Sequence, residues 1–581
     1  MLPDEVKDEL YKDNTTVMLV TFKEAISSDT TMNTVQHLRD ITDKHCKISG
    51  MTATLLDTRD LSNSEVAIYV VIAVVLCLIV LEIALDSYVA PILLLANIGI
   101  AILYNMGTNI FLGEISYITK AISAVLQLGV TMDFAIFLYH SYQAELKNTT
   151  DRNQAMSIAI SKTFTSVLGS SLTTIAGFLA LCSMNLTLGK DIGIVMAKGV
   201  LFGVISVVTI LPSLILMFDK AIQKTKHKEL LPKFTTISEF NIKHYKAIIV
   251  IFLIALPIAL YGYNNTKVYY KLDSSLPETL DSISANNTLK DKFGLVSQEM
   301  ILINKDTPND EINEMLDKIE ELDGVDFTLS YSKLSELGIP EEMLPEDLLS
   351  IFQSDKYQMI LINSKYEIAT DELNNQIAKI NEIVKQYDSN AKVVGEGPLM
   401  KDLVEISDHD FNSVNTVSIA AIFVIILIVF KSVSIPVLLV SAIEFAIFIN
   451  MGIPYYTNTT IPFIASIVIG TIQLGATIDY AILITNKYIQ KRKEGLSKKD
   501  AMDYALGTSI SSIVVSGLCF FGATFGVGAY SKIEMIGSLC TLMSRGAIIS
   551  VIVVITVLPA FLMIFDKLVC KTTIGMREVK N

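Results

Sequence analysis

Gln127-Leu-Gly-Val-Thr-Met-Asp133-Phe134-Ala-Ile and, 346 residues later, Gln473-Leu-Gly-Ala-Thr-Ile-Asp479-Tyr480-Ala-Ile decide how the chain is read. Each copy lies inside an apolar run long enough to cross a bilayer. Each places a carboxylic acid well inside hydrocarbon, where an ionised group costs roughly 2.5–3.5 kcal/mol on insertion scales. A lone buried acid satisfied by neighbouring hydroxyls would only help helices pack. Two acids at equivalent positions of a duplicated unit are poorly explained that way, and both are candidate functional groups.

The bulk properties agree. The chain has 581 residues, is 51% hydrophobic and has a mean hydropathy of +0.49. Several nearly uncharged windows reach the ~20 residues a helix needs to span a membrane. The net charge of −14 argues against a nucleic-acid partner. There is no Gly-x-x-x-x-Gly-Lys-Ser/Thr loop to suggest ATP hydrolysis. The six cysteines (Cys46, Cys77, Cys182, Cys519, Cys540 and Cys570) form neither a disulfide framework nor a Cys/His cluster with metal spacing. His37 and His45 fit a solvated helix face. No nucleophile–base set points to an enzyme, and no cofactor is expected beyond a proton gradient. The opening Met1-Leu-Pro-Asp-Glu-Val is polar and acidic, unlike a cleavable leader.

Taken in order, residues 1–63 read as soluble α/β, with strands at Val17–Phe22 and Met51–Leu56 around a helix over 30–45. Residues 64–220 hold five apolar spans, 221–246 a basic linker, and 247–263 a sixth span. Residues 264–411 read as a second soluble domain. Its strands fall at Glu299–Ile303, Val325–Leu329, Gln358–Ile362 and Lys392–Gly395, with helices over 308–322 and 370–387. Two β-α-β units in tandem suggest a ferredoxin-like split β-α-β layout. Five more spans occupy 412–567, and 568–581 form a tail. The loops after the acid-bearing spans are basic, with Lys147 and Arg152 in one half and Lys487, Lys491, Arg492, Lys493, Lys498 and Lys499 in the other. The opposite loops, 107–116 and 453–460, carry no Lys or Arg. The positive-inside rule makes the basic loops and the C-terminus cytoplasmic and turns both soluble domains outward.

The two halves match over most of their length. Gly50 pairs with Gly395, Asp57 with Asp402, Ser87 with Ser432 and Pro91 with Pro436, a shift of 345. Leu211-Pro212 pairs with Leu558-Pro559 at 347. Parallel repeats of this kind are a transporter signature. On the same arithmetic Met1-Leu2-Pro3 falls on Met343-Leu344-Pro345, in the middle of the second soluble domain. A symmetric architecture would have twelve spans and two full soluble domains, so the expectation is an amino-terminal truncation or a misplaced start.

Gly129 and Asp133 are four residues apart, as are Gly475 and Asp479, so each pair shares one helix face. Glycine there admits another backbone. In a two-fold arrangement the two faces would meet and bring both acids together with Tyr480. Carboxyls sharing a dry site make a group able to take a proton from one side and release it on the other. Ser166 and Ser170 match Ser512 and Ser516, again four apart. They either bond the acids or hold a water wire, or simply bond their own helix carbonyls. Glu82 and Glu444 lack a repeat mate. Lys198 and Arg545 match each other near outer helix ends, where snorkelling is expected.

These features resemble the resistance–nodulation–division (RND) superfamily and, within it, the MMPL-type transporters. The resemblance is carried by Gly129-x-x-x-Asp133-Phe134, by Gly475-x-x-x-Asp479-Tyr480, and by the Leu-Pro endings of the last span in each half. It implies a polytopic α-helical membrane protein with two parallel repeats and extracytoplasmic porter domains, the first of them partial. It further implies proton-driven export of lipids or other amphiphilic compounds, with Asp133, Asp479 and Tyr480 as the relay. Membrane lipids and a hydrophobic substrate would be the partners, and the sequence leaves oligomeric state open, a homo-oligomer included. Family members usually carry Asp-Tyr in both halves. Here Asp133 could keep Tyr480, whereas Asp479 would face Phe134, which cannot donate, so that either the relay is asymmetric or Asp479 relies on a serine. The alternative reading is a non-transporting membrane scaffold, lipid-binding relative or remnant.

Overall fold

The computed structural model describes residues 11–576 apart from 13, 19, 44, 150, 229–233, 271–275, 295–296 and 337–351. Met1–Pro3, on which the expectation about the start rests, lies outside the described residues. The chain divides into two compact units: residues 1–60 with 269–406, and residues 61–268 with 407–581.

The second unit is helical. Its long helices are α2 (Met51–Ala84), α3 (Val89–Gly107), α4 (Tyr117–Glu145), α5 (Arg152–Ala180), α6 (Thr187–Lys224) and α7 (Thr235–Asn264). Then come α11 (Glu396–Phe430), α12 (Ser434–Tyr456), α13 (Phe463–Lys493), α14 (Lys498–Tyr530) and α15 (Glu534–Ile564). All eleven are long and apolar enough to cross a membrane, as hydropathy leads one to expect. Helix starts are fixed by short polar side chains that accept from the first free amides. Ser116 takes the amide of Ile118, Asp151 that of Asn153, and Ser497 that of Asp500. The most buried spans are α4 and α13, which places the acid-bearing helices at the centre of the bundle.

The repeat is visible in side-chain detail. Asn105 donates to Gln127 at 2.8 Å, and Asn450 to Gln473 at the same distance. Tyr142 donates to buried Asp219 at 3.1 Å, and Tyr488 to buried Asp566 at 2.5 Å. The halves also cap each other. Asp410 on α11 accepts from the backbone amides of Asn185 and Leu186, at 2.8 and 3.0 Å, just before α6. Its repeat mate, Glu65 on α2, accepts from the amide of Lys532 at 3.3 Å, just before α15. A carboxylate from the first helix of each half thus satisfies orphan amides at the last helix of the other.

Lys198 reaches toward the outer loop as expected, whereas Arg545 turns into the bundle. Lys198 donates to Asn109 at 2.6 Å, and Arg545 reaches the Asn450 side chain at 2.8 Å and its carbonyl at 2.7 Å. Asn450 gives Arg545 a polar partner within the bundle, so this cation does not have to reach for the interface.

In the first unit a four-stranded antiparallel sheet is formed by β3 (Ser297–Asn304), β4 (Val325–Leu329), β5 (Tyr357–Ser364) and β6 (Lys392–Gly395), in the order β4-β5-β3-β6. Helices α9 (Asn309–Glu320) and α10 (Asp371–Tyr387) connect β3 to β4 and β5 to β6. That order is what two interleaved β-α-β units produce. Ile301, Ile303, Ile360 and Ile362 from the sheet pack on Ile312, Leu316, Ile380 and Val384 from the helices. Helix α1 (Asp29–Ile41) packs Val35 on Ala53 and Leu56. Arg39 holds Asp57 through two contacts, at 2.5 and 3.1 Å, and Asp57 accepts the amide of Ser282 at the start of α8 (Asp281–Phe293).

Two strand expectations fail. Met51–Leu56 is the first turn and a half of α2, because its Thr-Ala-Thr-Leu-Leu run continues without a breaker into an uninterrupted helix. The described residues between Val17 and Phe22 carry no strand; the pairing nearby is between β1 (Tyr11–Lys12) and β2 (Thr15–Thr16).

Candidate functional site

Asp133 on α4 and Asp479 on α13 line one cavity of about 70 Å³, enough for one or more waters. Tyr480, Ser166, Ser170, Ser512 and Ser516 line it too, so every polar side chain of the predicted relay is gathered there. Asp479 is 8% exposed and Asp133 somewhat more, and they lie close enough to interact electrostatically.

The two glycines act differently from the expectation. Gly129 and Gly475 do not face each other. A Cβ on Gly129 would lie 2.4 Å from the ring of Phe520 on α14, and 3.5 Å from the Phe520 Cα. Gly475 instead receives α5, where a Cβ on Gly177 would come within 3.1 Å of the Gly475 Cα. Each acid-bearing helix therefore admits a helix of the opposite half, and the acids meet across that interlock.

Their surroundings are unequal. Asp133 accepts from the Ser516 hydroxyl, which lies 3.1 Å from the hydroxyl of Tyr480. The anticipated link from Asp133 to Tyr480 thus runs through a serine. Asp479 has no serine. The hydroxyls of Thr173 and Thr174 on α5 stand 3.3 and 3.2 Å from its two carboxyl oxygens. The Thr174 hydroxyl is also 3.0 Å from the Gly475 carbonyl. Ser170, by contrast, donates to its own helix at Val167 (3.3 Å). Ser166 and Ser512 stand on the cavity wall, one turn from Ser170 and Ser516.

Sequence reasoning missed Thr173 and Thr174. At the shift of 346 that aligns the acids they fall on Cys519 and Phe520. The repeat therefore breaks beside the carboxyls, and that break was the available signal. Among the described residues no three His, Cys, Asp or Glu side chains gather to hold a metal ion.

Two like halves interlocked around a shared pair of membrane-embedded carboxyls define a repeat-built, multi-pass membrane protein of the RND type. The MMPL family pattern matches residues 10–237 and 319–574, most of the sequence, and the chain belongs to the MMPL family. Curated relatives include the membrane protein ActII-3 of Streptomyces coelicolor, 32% identical over 26% of this chain and 22% of its own length. The mycolic acid-containing lipids exporter MmpL11 of Mycolicibacterium smegmatis is 24% identical over 31% of this chain and 19% of its own length. The transport protein MmpL1 of Mycobacterium tuberculosis is 21% identical over 36% of this chain and 23% of its own length. The matched stretches thus span less than a quarter of each of these relatives.

Proposed function

We propose that the protein exports lipids or other hydrophobic, amphiphilic compounds across the cell membrane at the expense of the proton motive force. Asp133 and Asp479 take and release the proton, with Tyr480 and Ser516 passing it or holding the hydrogen-bond network in register. The observation that carries this reading is the meeting of two carboxyls, from equivalent positions of two repeats, in one small cavity inside apolar helices. Burying two acids side by side is costly. Protonating either one removes charge from the interlock of α4 with α14 and of α13 with α5, and so gives the bundle a reason to repack. The lipid class is supported by family membership and by a relative named as an exporter of mycolic acid-containing lipids.

In this reading the basic loops and the C-terminus are cytoplasmic, on the positive-inside rule. The α/β unit is an outward-facing, ferredoxin-like porter domain. Proton-dependent efflux from membrane vesicles tests the proposal. Asp133→Asn and Asp479→Asn should each abolish efflux while leaving the protein in the membrane. Efflux that survives both substitutions would return the protein to the scaffold reading.

A further inference from the structure

The cavity is one-sided. On α4 and α13 its lining starts at Asp133 and Asp479 and continues only toward the later residues, ending at Asn486. On α5 and α14, which run the opposite way, it starts at Ser170 and Ser516 and continues only toward the earlier Ser166 and Ser512. All four directions lead to the end that carries the basic loops. Exposure rises along the same path. Ser170 and Ser516 are buried, Ser166 and Ser512 half-buried, and Asn486 exposed. From Asp479 to Asn486 the path is ~10 Å at the helical rise per residue.

Beyond the acids, on the opposite side, no residue lines the cavity. One turn past Ser516, buried Phe520 lays its ring on Gly129. One turn past Ser170, Thr174 and Gly177 close on Gly475. The two seals differ in kind: Thr174 is a small hydroxyl residue tied to a carbonyl, whereas Phe520 is a ring with no polar atom.

We propose that this is the state in which the carboxyl pair meets water only from the basic-loop side, with Asn486 at the mouth of the path and Phe520 as the plug that separates the pair from the other side. Phe520 is a positioning residue: it touches no proton but decides from which side one can arrive. The inference rests on the proton-relay reading for its purpose. Its geometry concerns water access alone, and the test reads access rather than transport.

Single cysteines at Ser512→Cys and Asn486→Cys would be placed in the full chain with Cys46→Ser and Cys182→Ser, the other four native thiols being buried. Glu494→Cys, in an exposed basic loop, marks the face. A charged, membrane-impermeant methanethiosulfonate is then added to sealed vesicles of either orientation, without a proton gradient. Both test cysteines should react only from the face that labels Glu494→Cys. Adding Phe520→Ala should make Ser512→Cys reactive from both faces, while Phe520→Leu, which keeps apolar bulk, should leave it reactive from one. Reaction of Ser512→Cys from the opposite face with Phe520 intact overturns the proposal, as does no reaction from either face or an unchanged pattern in Phe520→Ala. The relay reading fails separately, if Asp133→Asn and Asp479→Asn retain proton-dependent efflux whatever the labelling pattern.

Discussion

Glu299 lies on the core-facing side of β3, in the row Ser297, Glu299, Ile301, Ile303, and is fully buried. One oxygen meets the Ser297 hydroxyl, and the other has no hydrogen-bond partner among the described residues. The site is crowded: a Cβ on Gly397 would fall 2.7 Å from that first oxygen. Burial, and to a smaller extent the nearby Glu396, push the carboxyl up to about 7 from an ordinary 4.5, against the opposing Ser297 bond. A folded-state pKa above the unfolded one means that the folded unit holds the proton more tightly. The stability contributed is therefore fully present below about pH 4.5 and is lost as pH rises through about 7. At 1.36 kcal/mol per pKa unit the shift corresponds to about 3 kcal/mol, or roughly two orders of magnitude in the opening equilibrium of the α/β unit.

Hydrogen exchange on the full chain in nanodiscs reads this directly, because core-strand amides exchange through opening of the whole cooperative unit. Corrected for intrinsic exchange, protection across β3 should fall between pH 5 and pH 8 in the parent protein. In Glu299→Gln, which keeps the shape and cannot ionise, that component of the fall should vanish. If parent and variant share one pH profile, or protection in the parent rises with pH, the burial argument is wrong.

Three further outcomes follow from the helical unit. Gly129→Ala drives a methyl into the Phe520 ring and should lower the melting temperature, by about 1–3 kcal/mol of overpacking less about 1 kcal/mol gained in helix propensity; Phe520→Ala in the same protein should restore part of it. Arg492→Met strands Asp566, which accepts from both Arg492 and Tyr488 in a pair almost wholly shielded from water. Breaking such a pair from one side costs about 3–5 kcal/mol, and pairing it with Asp566→Leu should recover most of the thermal stability. Asp410→Ala leaves the backbone amides of Asn185 and Leu186 without an acceptor and should cost about 1–3 kcal/mol. Glu65→Ala removes the acceptor of the buried Tyr69 hydroxyl as well as that of the Lys532 amide, and should cost a similar amount in the same melting experiment.

The spans, the repeat and the acid pair were legible because each rests on a large penalty. Hydrocarbon permits only long apolar helices, and a carboxyl inside one stands out. The four-stranded sheet was legible from short apolar, isoleucine-rich runs, as in Glu299–Ile303, joined to amphipathic helices. Met51–Leu56 was misread because local β-propensity competes poorly with a helix that continues for a further 28 residues to Ala84. Arg545 was misread because an inward partner such as Asn450 is set by helix rotation, which apolar spans hardly encode in their periodicity.

What the sequence hid at the site itself is a compensation between two breaks in the repeat. The first replaces Tyr480 by Phe134 in the other half and removes a hydroxyl that Asp479 would have used. The second replaces Cys519 and Phe520 by Thr173 and Thr174, whose hydroxyl oxygens stand 3.3 and 3.2 Å from the Asp479 carboxyl while their own protons have closer acceptors in the Ser170 carbonyl (2.6 Å) and the Gly475 carbonyl (3.0 Å), so that they can accept from Asp479 when it carries a proton. Asp133 keeps Tyr480 through Ser516, has its polar needs met from that side, and can tolerate the Phe520 ring one turn away. Each break alone would strand a buried carboxyl or crowd it with surplus hydroxyls; together they leave both acids partnered and make the two faces of the interlock unlike.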